Sequence, residues 1–311
     1  MKEALEVSLG SLRLKTPLMP ASGTFGYGDE YVRVIPYDGI GAIVTKSLSL
    51  LPREGNPPPR VHELDTGLLN SIGLENMGVM RFLSEKLPSL SVLGLPIVVS
   101  VFGETEEEFL QVVERLQGHE VIKAIELNLS CPNVKKGGTA FGTDPKSVYK
   151  LVNSTRKATS LDIWAKLPPD PFHIVEIAKA AEEGGADALT LSNTLPAMAV
   201  DVEAMKPLLG GVTGGISGKA VREIGLRIVY EVKKAVSVPL IASGGISSTE
   251  DALAFIMVGA SALQLGTALF SNPLVFREIS EGLLDFLKRK GISHIGELKG
   301  SIHAVVFPSL S

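Results

Sequence analysis

The sequence predicts one α/β domain of the (β/α)8 TIM-barrel type, and three observations carry that expectation. Eight short apolar runs recur along the chain, most of them followed by a segment of helical periodicity. Most runs are apolar at nearly every position, as strands covered on both faces should be. Polar and basic residues gather at the carboxyl end of almost every run, which is where such a barrel builds its active site. An open doubly wound sheet is the competing arrangement. It fits less well, because no Gly-rich turn after the first strand dominates and the polar residues spread over nearly all strand ends.

The elements follow in order. Residues 5–9 and 12–14 alternate apolar and polar around Gly10-Ser11. That predicts a two-strand hairpin with a glycine-first turn, placed to cover the bottom of the barrel. Barrel strands are predicted at 17–21, 42–46, 96–101, 124–129, 162–167, 188–192, 239–243 and 262–266. Thr105 to Glu108 forms a capping box ahead of one helix, and Asp144-Pro145 supplies an N-cap and a first helical residue to another. Ser247 and Glu250 cap a third, and Asn272-Pro273 opens a long helix that runs to Lys290 and stops at Gly291. Two connections, 49–95 after strand two and 195–218 after strand six, are too long for turns and predict a lid or a subunit contact. No repeat or linker divides the chain, so residues 1–311 are read as one domain.

Composition excludes several classes of function. The chain has 311 residues, is 45% hydrophobic, carries a net charge of −4 and has no long run of one sign. Nucleic acid and anionic membrane are therefore not its expected partners. The single cysteine, Cys131, excludes a disulfide framework and suits a reducing cytosol. The opening Met1 to Glu6 lacks the apolar core of a signal peptide, and no apolar stretch is long enough to span a bilayer, so a cytoplasmic protein is expected. The five histidines show no ligand spacing, which argues against a metal site. There is no GxSxG elbow, no P-loop and no GxGxxG after the first strand.

The strand ends carry the candidate chemistry. In order they present Ser22, Lys46-Ser47, Ser100, Asn128 with Cys131, Lys166, Asn193-Thr194, Gly244-Gly245 and Gly266-Thr267. Lys46 and Lys166 each end an apolar run; they are either surface lysines or inward cations for a phosphate, a carboxylate or an electron-rich ring. Asn70, Asn128 and Asn193 are either turn formers or a set of donors and acceptors for a planar ligand. Gly218, Gly244-Gly245 and Gly266 fall late in the barrel, where backbone N–H groups at helix starts bind phosphate. Cys131 stands between Asn128 and Asn133, ahead of Lys135, Lys136, Gly137 and Gly138. It is a candidate acid or base, against the ordinary use of a free cysteine as a small buried hydrophobe.

The run Asn128-Leu129-Ser130-Cys131-Pro132-Asn133, continuing through Lys135 to Gly142, resembles the catalytic loop of the class 1 dihydroorotate dehydrogenases. The Lys-x-Gly-Gly-x-Ala-Phe-Gly continuation is closest to the NAD-linked class 1B branch. The resemblance extends nearly end to end, through Pro20-Ala21-Ser22-Gly23, Gly55-Asn56-Pro57, Asn70 to Leu74, Asn193-Thr194, Gly214 to Gly218, Gly244-Gly245-Ile246 and Gly266-Thr267. It implies FMN in the barrel mouth, held by Ser22, Lys46, Ser47, Ser100, Asn128, Lys166, Ser192, Gly218, Gly244, Gly245, Gly266 and Thr267, the last five at its phosphate and ribityl chain. It implies (S)-dihydroorotate gripped by Lys46, Asn70, Ser71, Ile72, Gly73, Leu74, Asn128, Asn193 and Thr194, with Cys131 as the base that removes the C5 proton.

The same resemblance implies oxidation to orotate in pyrimidine biosynthesis, and a homodimeric core joined by a subunit carrying FAD and an iron–sulfur cluster. This chain has neither the cysteines for a cluster nor a dinucleotide fingerprint, so electrons bound for NAD would need that partner. Cysteine rather than serine as base, with no amphipathic N-terminal extension, speaks against the membrane-bound class 2 enzymes. Three departures stand out: Ser100 replaces the usual Asn, Ser47 stands where Ala or Thr is frequent, and Glu75-Asn76-Met77-Gly78 replaces Gln-Asn-Pro-Gly. Alternatives are a fumarate-linked class 1A-type enzyme, a dihydropyrimidine dehydrogenase, a barrel aldolase using Lys166 as a Schiff-base amine, and a flavin-binding scaffold without activity.

Overall fold

Gly10 opens the structure by taking φ +61°, a left-handed conformation that glycine adopts without steric cost. It joins β1 (Val7–Leu9) to β2 (Leu12–Leu14) as the predicted hairpin. Leu5, expected in the first strand, instead ends a short 3-10 helix, Lys2–Leu5. The computed structural model describes residues 2–31, 34–129 and 142–302. Along it follow β3 (Leu18–Pro20), β4 (Ile43–Val44), β5 (Val61–Leu64), β6 (Gly67–Asn70), β7 (Ile97–Val101) and β8 (Ile122–Asn128). Then come β9 (Asp162–Lys166), β10 (Ala188–Leu191), β11 (Leu195–Ala197), β12 (Val200–Asp201), β13 (Lys206–Pro207), β14 (Gly214–Ser217), β15 (Leu240–Ser243) and β16 (Ala262–Leu265).

Eight of these form one parallel sheet in the order β3-β16-β15-β10-β9-β8-β7-β4. Its two ends meet where the Gly41 N–H donates to the Leu18 carbonyl at 2.8 Å. The strands are the eight predicted runs. The order proceeds round a ring instead of reversing at a switch point, so the doubly wound alternative is set aside.

The helices are α1 (Val79–Arg81), α2 (Leu87–Ser91), α3 (Glu106–Leu116), α4 (Pro145–Ala158), α5 (Ile174–Glu183), α6 (Arg222–Lys233), α7 (Thr249–Met257), α8 (Ala268–Ser271) and α9 (Val275–Lys290). Their ends keep several of the predicted caps and shift the others by one or two residues. Thr105 accepts the Glu108 N–H as expected, but the Glu108 carboxylate reaches back to the N–H of Glu104 at 2.7 Å rather than that of Thr105. Asp144 caps α4, with Pro145 as its first residue. The cap of α7 is Ser248, not Ser247. At α9 the Asn272 side chain takes the Leu274 N–H, which leaves Pro273 outside a helix that begins at Val275. Gly291, at φ +67°, ends it as predicted.

Two apolar layers hold the barrel. Outside, the strands bury one face against the helices. Inside, Met19, Ala42, Val44, Val98, Ala124, Trp164, Ala188, Ile241 and Ala262 pack with Leu9, Leu12 and Leu14 of the hairpin. The hairpin is therefore a plug, each buried leucine contributing about 1.5–3 kcal/mol. Asp162, on β9, fixes it by accepting the N–H groups of Ser11 and Leu12 at 2.8 and 3.1 Å.

Two residues further up, most of the strands turn polar inside. Val98 is followed by Ser100, Ala124 by Glu126 and Asn128, Trp164 by Lys166, Ala188 by Thr190, Ile241 by Ser243 and Ala262 by Gln264, all buried. In register, Ser100 faces Glu126 across the ladder, while Asn128 and Thr190 both neighbour Lys166. An apolar floor under a polar ceiling results from simple period-two alternation.

The insertions expected as loops fold together. β5 and β6 from the first, with β11 and β14 from the second, make a four-stranded antiparallel sheet in the order β11-β14-β6-β5. This sheet pairs Asn70 with Gly215, so residues far apart in sequence reach one rim of the barrel.

Candidate active site

A chain of hydrogen bonds crosses four strand ends at the mouth. The hydroxyls of Ser100 and Ser47 lie 2.9 Å apart, and Ser47 accepts from the Asn128 amide at 3.2 Å. The Asn128 carbonyl oxygen accepts from Asn193 at 3.1 Å, and Asn193 in turn accepts the Thr194 N–H at 2.8 Å. Ser47 and Ser100 are two of the three departures from the family pattern, and here they are partners. Each hydroxyl satisfies the other in a site where an unpaired polar group would cost about 1–3 kcal/mol. Ser192 lies beside this chain, buried, with its hydroxyl on the Asn193 carbonyl.

Beneath it Lys166 is buried among polar groups. The ammonium donates to the Ser22 hydroxyl at 3.2 Å and to the Gln264 carbonyl oxygen at 3.5 Å. Glu126 faces it from β8, its Oε1 atom 3.9 Å from Nζ, within ion-pair reach but beyond a hydrogen bond. The other carboxylate oxygen accepts from Thr190 and from the Gln264 amide. Oε1 has no hydrogen-bond partner among the described residues although it is fully buried. Of the two readings open for Lys166, the structure shows the inward one. Glu126, Thr190 and Gln264 are not among the predicted site residues; for Glu126 the signal is the alternation Ala124-Glu126-Asn128 within a run grouped with the mostly apolar strands.

Lys46 points to the rim instead. It donates to Glu75 at 3.1 Å, and Arg60 reaches the same oxygen at 3.4 Å. Glu75 follows the predicted substrate loop Asn70, Ser71, Ile72, Gly73 and Leu74, which the structure folds against Gly55-Asn56. The Asn56 N–H donates to the Ile72 carbonyl and its amide to Ser71. Gly73 has φ +73°, and a Cβ there would lie 2.5 Å from the Asn56 nitrogen. Leu74, at φ +57°, holds a left-handed conformation uncommon for a residue with a branched side chain. Asn70 donates to the Gly215 carbonyl at 3.2 Å.

The late glycines lie near one another. Ser217, next to Gly218, accepts from Thr267 at 2.8 Å, which ties the Gly218 turn to Gly266-Thr267. Gly245 has φ +80°, and a Cβ would sit 2.6 Å from the Arg222 Cα. The Gly244-Gly245 turn is clamped from behind by Asp251. That carboxylate accepts from Arg222 at 2.7 Å and from the Ser247 N–H and hydroxyl at 3.0 and 2.9 Å. Burial pushes its pKa up, but the Arg222 and Ser247 hydrogen bonds outweigh burial and hold it below the ordinary carboxylate value. A depressed folded pKa gives stability that is present above the unfolded value, about 4, and is lost as pH falls through the folded value. Asp251→Asn is therefore expected to lower Tm by a few degrees at pH 7. A thermal-melt series should show the gap from wild type closing below about pH 4.

Cys131 lies outside the described residues. Among those described, no cluster of histidines, cysteines and carboxylates is placed to hold a metal ion. No helix among them is long and apolar enough to cross a membrane.

Fold and mouth together define a (β/α)8-barrel enzyme with its chemistry at the carboxyl ends of the strands. The chain belongs to the dihydroorotate dehydrogenase family, whose model matches residues 4–287. It is 47% identical over 302 residues to the catalytic subunit of dihydroorotate dehydrogenase B (NAD(+)) of Trichlorobacter lovleyi, covering 97% of this chain and 99% of that one. The protein of the same description from Caldicellulosiruptor saccharolyticus is 46% identical, covering 96% of this chain and 99% of that one. Among solved structures, a dihydroorotate dehydrogenase of Eimeria tenella in complex with ferulenol superposes with a TM-score of 0.78. At 23% identity, over 96% of this chain and 88% of that one, it bears on the fold alone.

The family is one of flavin-dependent oxidoreductases, and two features of the mouth fit such a group. The Lys166 ammonium has three donors but makes only two hydrogen bonds among the described residues, at 3.2 and 3.5 Å, which leaves one for a group above it. At Gly266 a Cβ would meet nothing closer than Thr24 at 3.4 Å, so packing does not demand glycine there. A missing side chain that packing does not require keeps backbone open to a ligand.

Proposed function

We propose that this chain is the catalytic subunit of an NAD-linked dihydroorotate dehydrogenase, oxidising (S)-dihydroorotate to orotate in UMP synthesis. The observation that carries it is the near full-length similarity to catalytic subunits of that description at 44–47% identity. FMN, bound in the mouth of a single domain, would supply the hydride acceptor. Ser22, Lys46, Ser47, Ser100, Asn128, Lys166 and Ser192 would hold its ring side, and Gly218, Gly244, Gly245, Gly266 and Thr267 its phosphate and ribityl chain. What supports a common phosphate site is the Thr267–Ser217 hydrogen bond, which ties the Gly218 turn to Gly266-Thr267.

The substrate is a puckered ring anion with donors and acceptors on its rim, which becomes flat on oxidation. Asn70, Asn128 and Asn193 would orient it, with Thr194, Ser71, Ile72, Gly73 and Leu74 alongside, and Lys46 would meet its negative charge. Asn128 and Asn193 already hold each other, so little ordering remains to be done on binding. Cys131 would take the C5 proton, as the catalytic-loop resemblance implies.

With one cysteine, this chain does not itself supply the thiolates of an iron–sulfur cluster. The onward path to NAD would run through a partner subunit with FAD and such a cluster, assembled on a homodimer of this chain.

The test is direct. The purified chain should be yellow with FMN, bleach anaerobically on adding dihydroorotate, and reduce NAD only once the partner subunit is present. A colourless protein whose lysine is trapped by borohydride with a carbonyl substrate would favour the aldolase instead. Turnover with fumarate by the chain alone would favour the fumarate-linked type.

A further inference from the structure

Glu75 stands where the family pattern has an uncharged glutamine, and its surroundings fix it firmly. Leu74 before it takes a left-handed turn. Asn76 after it is buried, its side chain bonded to Ser49, to the Gly78 N–H and to the Leu74 carbonyl. Between them one carboxylate oxygen accepts from both Lys46 and Arg60, at 3.1 and 3.4 Å. Arg60 is itself anchored on the Glu54 and Asn56 carbonyls. Glu75 therefore keeps a cationic partner when Lys46 turns away. The side chains of Lys46 and Glu75 are 21% and 46% exposed, so their contact can be exchanged without stranding a charge in the core.

We propose that Glu75 is a positioning residue that sets affinity for the anionic substrate by occupying Lys46 in its place. This inference rests on the reading of Lys46 as a substrate-binding cation. A carboxylate-bearing pyrimidine entering the mouth competes with Glu75 for the same ammonium. Glu75 retires onto Arg60, and the enzyme binds its substrate and product more weakly than it would with the glutamine. Weak binding of the anionic product favours its release. A neutral ring makes no such exchange, so the effect is confined to the anion.

The test is ligand binding to the FMN-loaded protein, followed by the flavin absorbance change on titrating orotate or its neutral carboxamide. Glu75→Gln keeps the shape and removes the charge. It is expected to bind orotate about two- to fivefold more tightly, the worth of a partly exposed ion pair. The carboxamide affinity should not move. Arg60→Ala, which leaves Glu75 with Lys46 alone, is expected to weaken orotate binding, and adding Glu75→Gln to it should restore the affinity. An unchanged or weaker orotate affinity in Glu75→Gln, or an equal gain for the carboxamide, overturns the inference while leaving the functional reading intact. No flavin response to orotate in any of the proteins, wild type included, overturns both.

Discussion

Cys131→Ala is expected to slow flavin reduction by dihydroorotate by about 10²–10⁴-fold, the usual worth of a general base, while FMN content and orotate affinity stay near wild type. The proton to be removed sits on carbon beside a carbonyl and leaves slowly without a positioned acceptor. A thiol with a free pKa near 8.5 lies close to working pH, and any cation beside such a thiol favours the thiolate. Rapid-mixing absorbance under anaerobic conditions separates this step from onward electron transfer. Because the chain has a single cysteine, alkylation by iodoacetamide reports on Cys131 alone. Orotate is expected to slow that alkylation as well as quench turnover. Full turnover in Cys131→Ala would remove the thiol from the mechanism.

The barrel was legible because its strands are apolar runs of the right length between well-marked turns, and a closed parallel sheet leaves few other ways to cover both faces. Legibility fell where local signals compete. Ser247 and Ser248 are equally good caps on paper, and only the carboxylate of Asp251, which takes the Ser247 hydroxyl, assigns the cap to Ser248. The four-stranded rim sheet was hidden because β11 and β14 hold Pro196, Gly214 and Gly215, residues that local propensity assigns to turns. The Ser47–Ser100 contact joins positions 53 residues apart, and no spacing rule reaches that far. Glu126 was missed for a different reason. Its apolar neighbours Ile125 and Leu127 face the helices while it faces the axis, so an average over the strand hides it.

Glu126→Leu is expected to be the most destabilising single change in the mouth, and Lys166→Met made together with it should recover much of the loss. Removing one member of a buried pair leaves the other charge unpaired, at about 3–5 kcal/mol, whereas replacing both with apolar residues is often neutral. Denaturant unfolding of the four proteins of the cycle measures the coupling, with the two single losses expected to exceed the double one. Additive losses would show that Glu126 and Lys166, 3.9 Å apart, act independently. The milder Glu126→Gln keeps an acceptor for Thr190 and Gln264 and removes only the charge. In the proposed function Lys166 faces the flavin, and its full positive charge would then favour the electron-rich reduced ring. The two-electron potential should rise, by about 30 mV for each ~1.4 kcal/mol of changed interaction. A potential that stays put while stability falls would confine the pair to holding the barrel together. A rise would show that a carboxylate buried under the mouth sets how strongly the lysine above it pulls electrons into the ring.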